Sequence, residues 1–268
     1  MTKINLKNHM MDILGSKGKK MSFGKKTICV GKIRLMFLIT SILIGLIGVF
    51  CSSLQVLAAN LDIAKSNLVI LTEKEGIASA LAHRHIIAAS NWTGVLELKK
   101  QTDKVAGSIP TLESGSANIV IRTKDLVVDS PEAAAGIISL LGETKRWDPN
   151  KDKLEPGNAD SVRENMLAES QLDAQHFPKI EGFGRFSDCK KNGELKLKCS
   201  LELTLKVRDR SVVRQMTVSI KNADKELVVE FIGEFRFSEF GIRPYKAMLG
   251  AIAVTDEFIL AGKIVASE

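Results

Sequence analysis

The sequence has 268 residues, of which 45% are hydrophobic and 26% charged, and its formal net charge is +7 at pH 7. Of its 38 Lys and Arg residues 9 precede residue 59, whereas only 1 of its 31 Asp and Glu residues does, which leaves 29 basic against 30 acidic side chains beyond that point. Because nucleic-acid binding rests on a basic excess within the folded domain, this balance argues against a nucleic acid as partner.

The N-terminus predicts export. Residues 1–34 carry the basic side chains, opposed only by Asp12, and residues 35–50 form an apolar run. That run is shorter than the ~20 residues of a comfortable membrane-spanning helix, and Val56-Leu57-Ala58 then offers small residues for a signal peptidase. We therefore predict a signal peptide over residues 1–58, cleavage near Ala58, and a periplasmic or otherwise exported domain over residues 59–268. The long basic segment leaves an uncleaved anchor as the alternative.

The first half of this domain predicts short strands and then a helix. Strands are expected at residues 66–75, 94–100 and 117–129, the last interrupted by charges at residues 122–125. Residues 77–89 alternate as a strand does, although their alanines leave a helix as the alternative. Ser130-Pro131 is a typical N-cap followed by Pro at N1, and it predicts a helix over residues 132–141 that Gly142 ends.

A loop and a second helix are expected next. Residues 147–160 contain two prolines and many charges, which predicts an exposed loop. Ser161 and Glu164 have the spacing of a capping box, so a helix should begin there. Phe177-Pro178 should end it near Gln175.

The second half of the domain is predicted to consist of successive strands. Residues 193–208 alternate strictly between apolar and polar side chains, as a strand does when one face is buried and the other is solvated. Further strands are expected at residues 180–188, 212–221, 226–237 and 252–266, and the turns between successive runs have hairpin lengths. The pattern predicts a mainly β, antiparallel eight-stranded barrel with one or two short helices, whose interior is either filled by side chains or holds one small ligand.

Two cysteines, Cys189 and Cys199, lie in the predicted domain. A two-residue hairpin at Asn192-Gly193 would set Cys189 opposite Lys196, so a disulfide requires a longer loop or a bulge near Glu194. Two separate buried thiols are the alternative.

Several segments resemble a known family. They are residues 235–245, with the sequence FRFSEFGIRPY, and residues 250–258, preceded in order by residues 121–129, 163–167 and 176–180. Together they resemble the YceI-like family of lipocalin-like, polyisoprenoid-binding exported proteins, over residues 67–266. The resemblance implies an eight-stranded barrel around an isoprenoid tail. The resemblance does not extend to the identity of the ligand, because two features of the family are missing. Lys65-Ser66 stands where the family often has His-Ser, and residues 207–210 lack the His-Gly that the family often has in the corresponding turn.

Histidines and aromatic residues are the candidate site. His83 and His85 share a face if the chain is extended, and with His176 they could bind a metal ion. Because no carboxylate or cysteine nearby in the sequence completes a usual ligand set, we predict that they lie at the barrel mouth and hydrogen-bond either a polar ligand head or the backbone. Arg243 is a second candidate for the head. Candidate residues lining the interior are Phe183, Leu201, Leu203, Phe235, Phe237, Phe240 and Tyr245.

These observations predict a non-catalytic protein that binds or carries an amphiphilic isoprenoid or similar lipid in the cell envelope, without a cofactor and in contact with a membrane surface. No nucleophile with a base, and no phosphate-binding glycine motif, is recognisable in the sequence. Two alternatives stay open: a metal-dependent hydrolase at the barrel mouth, and a solid barrel acting as a protein-interaction module. The oligomeric state is open too, a homodimer included.

Overall fold

The computed structural model describes residues 55–78, 83–101, 111–193, 196–223 and 226–267. The predicted basic and apolar segments before residue 51 lie outside the described residues. The predicted cleavage point after Ala58 falls inside the first strand. In these parts of the chain, neither α-helix is long and apolar enough to cross a membrane.

The described residues form twelve strands and two α-helices, with short 3-10 turns between some of them. The strands are β1 (Gln55–Leu61), β2 (Asn67–Glu75), β3 (Ile86–Ala89), β4 (Trp92–Gln101), β5 (Thr111–Arg122), β6 (Leu126–Val128), β7 (Lys179–Lys191), β8 (Lys196–Val207), β9 (Arg210–Ala223), β10 (Glu226–Arg236), β11 (Lys246–Ala247) and β12 (Ile252–Ser267). The helices are α1 (Pro131–Glu143) and α2 (Ala159–Leu167).

Eight of these strands close into a ring. Each pairs antiparallel with the next in the order β1, β4, β5, β7, β8, β9, β10 and β12, and the ring closes where Leu61 of β1 meets Ala266 of β12. At one end the barrel wall continues through β2, β3 and β6, with β2 pairing both β12 and β3, and β3 pairing β6. The predicted antiparallel eight-stranded barrel is confirmed.

The alternating sequence of β8 builds the barrel wall. Cys199, Leu201, Leu203, Leu205 and Val207 are buried, whereas the intervening residues are exposed or half-buried. β9 keeps one register with β8 along the whole strand, and β7 keeps one from Glu181 to Ser187, so one face of all three strands turns inward. Burial of this apolar face, at about 25 cal/mol per Å² of apolar surface, is the main force that holds the wall together.

Helix α1 covers part of the outer surface of the barrel. Ser130 caps it, because its Oγ accepts a hydrogen bond from the Ala133 amide at 3.3 Å. The pKa of the Glu132 carboxyl is lowered, first by its own backbone amide and then by the Ser130 hydroxyl. Ile137 and Leu141 pack against outward-facing residues of β2, β3 and β12. The helix runs through Gly142 to Glu143, so the predicted end at Leu141 is two residues too early.

The segment between the helices is only partly the exposed loop that we predicted. Trp147 is 5% exposed and packs in the cluster beneath α1. The Arg84 guanidinium lies 5.9 Å from the centroid of the Trp147 ring, and its Nη1 donates to Asp152 at 2.8 Å. This contact joins the loop to the segment before β3.

Helix α2 begins earlier and ends earlier than the sequence predicts. Its N-cap is Asn158, so Ser161 lies inside the helix and does not begin a capping box. The helix ends at Leu167, not near Gln175, because the chain then turns sharply and the Leu172 amide donates back to the Met166 carbonyl at 3.0 Å. This turn returns Leu172 to the barrel core, where Val162 and Met166 also pack.

Cys189 and Cys199 form a disulfide with a Cα–Cα distance of 4.1 Å. Ser187 pairs with Ser200 and Lys190 with Lys198, so two residues of β7 oppose one of β8. This is a β-bulge at Asp188 and Cys189, with Asp188 in the left-handed region at φ 53°. Of the two alternatives the disulfide is present, and the bulge that permits it lies on β7 and not near Glu194.

Candidate functional site

The barrel encloses two apolar cavities that adjoin each other. Among the described residues, the inner cavity, of about 90 Å³, is lined only by apolar side chains and glycines, including Leu201, Leu203 and Gly182. The middle cavity, of about 100 Å³, has Gln171 as the one polar residue in its described lining. Leu68, Ile121, Ile180, Leu205 and Leu260 line both cavities, so the two are neighbours along the barrel.

A third cavity, the mouth cavity, opens next to the middle one and has a volume of about 340 Å³. It shares Ile87, Met166, Gln171 and Phe237 with the middle cavity. Its other lining residues include the polar side chains Thr72, Lys74, His83, His85, Asn158, Ser161, Asn165 and Tyr245. The three cavities therefore form a path from a polar entrance into an apolar interior.

The interior favours an apolar occupant over water. Each inner space exceeds the ~10–15 Å³ that one water molecule needs, but a buried water also needs two to four polar partners. The inner cavity offers only apolar side chains and glycines, and the middle cavity adds only Gln171. Ligand sites of this kind are mostly apolar, with a few polar groups that fix the ligand's orientation.

His85 is held rigidly at the mouth. Its Nδ1 lies 2.7 Å from Asp129 Oδ2, and the other oxygen of this fully buried carboxylate accepts from the Ile86 amide at 2.9 Å. The His85 amide donates to Thr72 Oγ1, and its carbonyl accepts from the Thr72 amide, each at 3.0 Å. Because the Asp129 carboxylate accepts a hydrogen bond from Nδ1–H, Nε2 is the ring nitrogen that remains for a ligand.

His83 also lines the mouth cavity, with its Nδ1 3.5 Å from Glu155 Oε1. His176 lines none of the three cavities and instead faces Asp173 at 2.8 Å. Within the described ranges, no cluster of three or more His, Cys, Asp or Glu side chains could hold a metal ion. The three histidines therefore do not come together as the metal hypothesis requires.

The aromatic candidates do not all face the cavities. Phe237 and Phe240 line the middle cavity, and Phe237 reaches the mouth as well. Phe235 is buried behind them, with ring centroids 5.8 Å from Phe258 and 6.2 Å from Phe240, and it lines none of the cavities described here. Phe235 therefore supports the wall and does not face the interior space.

Phe183 lies on the outer face of the barrel, so its assignment to the interior is wrong. It is 38% exposed, and the Arg185 guanidinium lies 5.2 Å from its ring centroid. The reason is strand parity, because Gly182 and Gly184 face the inner cavity and successive side chains alternate.

Tyr245 and Arg243 sit near the entrance in different ways. Tyr245 lines the mouth cavity and is 45% exposed. The Arg243 side chain is exposed and lines none of the three cavities, whereas its carbonyl accepts a hydrogen bond from Gln171 Nε2 at 3.0 Å. Arg243 therefore positions Gln171 through its backbone, and its predicted contact with a ligand head has no counterpart in this geometry.

Lys74, Thr72 and Asp129 are among the residues at the site that were not predicted. Lys74 and Thr72 follow the apolar run of β2, and Asp129 follows β6. The sequence carries no signal that Asp129 meets His85, because they are 44 residues apart and only the pairing of β3 with β6 brings them together.

No family model matches the sequence, and no curated protein matches it either. Solved structures do resemble the fold. BcnA from Burkholderia cenocepacia is 14% identical with a TM-score of 0.48, covering 78% of this chain and 100% of its own. A polyisoprenoid-binding domain from Saccharophagus degradans, implicated in plant cell wall breakdown, is 10% identical with a TM-score of 0.46, covering 80% and 99%.

The YceI protein of Campylobacter jejuni is 11% identical with a TM-score of 0.40, covering 68% of this chain and 84% of its own. The chain resembles YceI proteins. That resemblance, predicted from residues 235–245 and the segments upstream, thus has a counterpart among solved folds.

Proposed function

We propose that this protein binds and carries an amphiphilic isoprenoid or similar lipid in the cell envelope, without catalysing a reaction on it. One observation carries the proposal: a path of apolar cavities runs through the barrel and ends at a polar mouth. An amphiphilic lipid matches this arrangement of apolar cavities and polar mouth, because its tail would lie in the cavities and its head at the mouth. Polyisoprenoids, for which the S. degradans domain is named, have such a tail.

The two alternatives receive less support from the same geometry. A solid interaction module should fill its interior at the density of a protein core, whereas here two cavities lie between the walls. A metal-dependent hydrolase needs a set of ligands that the described residues do not bring together.

The proposal includes contact with a membrane surface, supported by exposed apolar residues near the mouth. Ile77 and Leu249 are fully exposed, and Met248 is 70% exposed. The two loops that carry them are joined, because the Ala78 amide donates to the Ala251 carbonyl at 2.9 Å. Exposed apolar side chains at loop tips can enter the headgroup region of a bilayer, where a lipid could pass into the adjoining mouth.

Native mass spectrometry of the freshly purified protein tests the ligand. We expect a co-purifying lipid that is released on denaturation and carries an isoprenoid chain. Protein that shows only its own mass, and that also takes up no added prenyl lipid, would contradict the proposal.

Membrane contact is tested by flotation with phospholipid vesicles. We expect Ile77→Ser combined with Leu249→Ser to reduce the fraction of protein that floats. The matched control is Val213→Ser, which removes a half-exposed apolar residue from β9 and should leave flotation unchanged. Equal flotation of both variants and the parent would refute contact through these loops.

A further inference from the structure

The ionisable residues that line the mouth cavity are of one kind. Apart from Tyr245 they are Lys74, His83 and His85, all of which can carry positive charge, and no Asp or Glu among the described residues contributes to the lining. We propose that the mouth binds an anionic phosphate or diphosphate headgroup, so that the ligand is a prenyl phosphate and not a neutral prenyl alcohol or quinone. This inference rests on the proposed function, since the tail must occupy the cavities beyond the mouth.

His85 is oriented to donate to such a group. Asp129 accepts a hydrogen bond from Nδ1–H, so Nε2 is the ring nitrogen that points away from that carboxylate, and in the imidazolium form it carries a second N–H that can donate to a ligand oxygen. Asp129 itself is fully buried and both of its oxygens are engaged, by His85 and by the Ile86 amide. Its charge therefore lies on the far side of the imidazole and does not line the mouth.

Lys74 adds a second cation close to His85. It lies on β2 two residues beyond Thr72, whose hydroxyl and amide hold the His85 backbone, and it lines the same cavity. An ammonium group and an imidazolium group together suit a phosphate, because charge-assisted hydrogen bonds are about twice as strong as neutral ones. A neutral alcohol head would use neither charge.

Neutral donors complete the site. The amide side chains of Asn158 and Asn165 and the hydroxyl of Ser161 reach the mouth from α2 and the turn before it. A phosphate has more acceptor oxygens than two cations satisfy, and such side chains can donate to the remainder. His83, paired with Glu155, is placed to supply a further donor.

The inference is tested by comparing two ligands that share one tail. Delipidated protein is titrated with geranylgeranyl monophosphate and with geranylgeraniol, and inorganic phosphate is titrated alone. We expect the prenyl phosphate to bind at least about tenfold more tightly than the alcohol, with a gap that narrows as salt is added. Inorganic phosphate should bind far more weakly than the prenyl phosphate, because it lacks the tail.

Single substitutions test which residues cause the preference for the phosphate headgroup. Lys74→Met and His85→Gln should each weaken binding of the prenyl phosphate several-fold while changing binding of the alcohol less than about twofold. The matched control is Arg243→Met, which removes an exposed cation that does not line the mouth, and it should change neither affinity. Thermal melting checks that each variant is folded, and Lys74→Met, at an exposed position, keeps the test valid if His85→Gln unfolds.

Each outcome decides between the proposals. Equal binding of phosphate and alcohol, or tighter binding of the alcohol, overturns the anionic headgroup and leaves lipid binding intact. Failure to bind either prenyl ligand overturns the proposed function itself. Tight binding of inorganic phosphate without a gain from the tail would identify a free-anion site and would also overturn the inference.

Discussion

Filling the inner cavity from Gly182 should stabilise the barrel and exclude its lipid. Gly182 lies in the middle of β7, paired with Ile119 and Leu205, and its side of the strand lines the inner cavity. A Cβ built at this position meets no heavy atom within 4 Å. The change Gly182→Leu therefore places a new side chain into space that the apo barrel leaves empty.

The size of the gain follows from three contributions. Replacing Gly by a residue with a Cβ in a compatible conformation adds about 0.4–1 kcal/mol to the free energy of unfolding. Three further carbons add about 0.8 kcal/mol each when buried, and ordering the Leu side chain costs about 0.5–1 kcal/mol. The net gain is about 2 kcal/mol, which should raise the melting temperature of a domain of this size by about 4–8 °C.

The assay is thermal unfolding of delipidated protein together with native mass spectrometry of the protein as purified. We expect the Gly182→Leu variant to melt higher than the parent and to retain less lipid. Gly115→Ala is the control, because its Cβ would lie 2.2 Å from Phe186 Cζ and should destabilise the barrel by about 1–3 kcal/mol. A lower melting temperature for Gly182→Leu, or an undiminished amount of co-purifying lipid, would refute the reasoning that no side chain fills this cavity and that the lipid tail binds there.

Four further predictions concern other parts of the molecule. Leu203→Trp should abolish lipid retention with a melting temperature near that of delipidated parent, and a large fall in stability together with a lipid-free parent would favour the solid module. Replacing Cys189 and Cys199 by Ala should lower the free energy of unfolding by about 2–3 kcal/mol, and thiol titration of denatured, unreduced parent should find neither cysteine free. Ser130→Ala should cost about 1 kcal/mol in urea unfolding through loss of the α1 cap, and an unchanged midpoint would contradict that role. Fractionation of native cells should find the protein outside the cytoplasm with its N-terminus at or near Ala59, whereas a full-length cytosolic product would contradict export.

The strands could be predicted because their signal is local. Side chains on a strand alternate with a period of two, so the sequence of β8 shows its buried face without reference to any neighbour. The Ser130-Pro131 cap is equally local, and it places the start of α1 correctly. Strands of this kind joined by short turns predict an antiparallel meander, and together with the N-terminal strands they predict the closed barrel.

Local rules failed where contacts distant in the sequence compete with them. Ser161 satisfies the spacing of a capping box, yet α2 already begins at Ala159. Phe183 is apolar, but the strand's parity places it outside so that Gly182 and Gly184 face inward. The disulfide also depended on a bulge at Asp188, whose position follows from the register between β7 and β8.

The site itself was decided by tertiary structure. The sequence indicated the two histidines, but the pairing of β3 with β6 is what brings Asp129 to His85 and aims the imidazole at the mouth. Whether the barrel is hollow depends on the sizes of side chains that meet from opposite walls. Alternation shows which side chains point inward, but not which ones face each other across the interior. A glycine such as Gly182 leaves a space only because no large residue from another strand fills it.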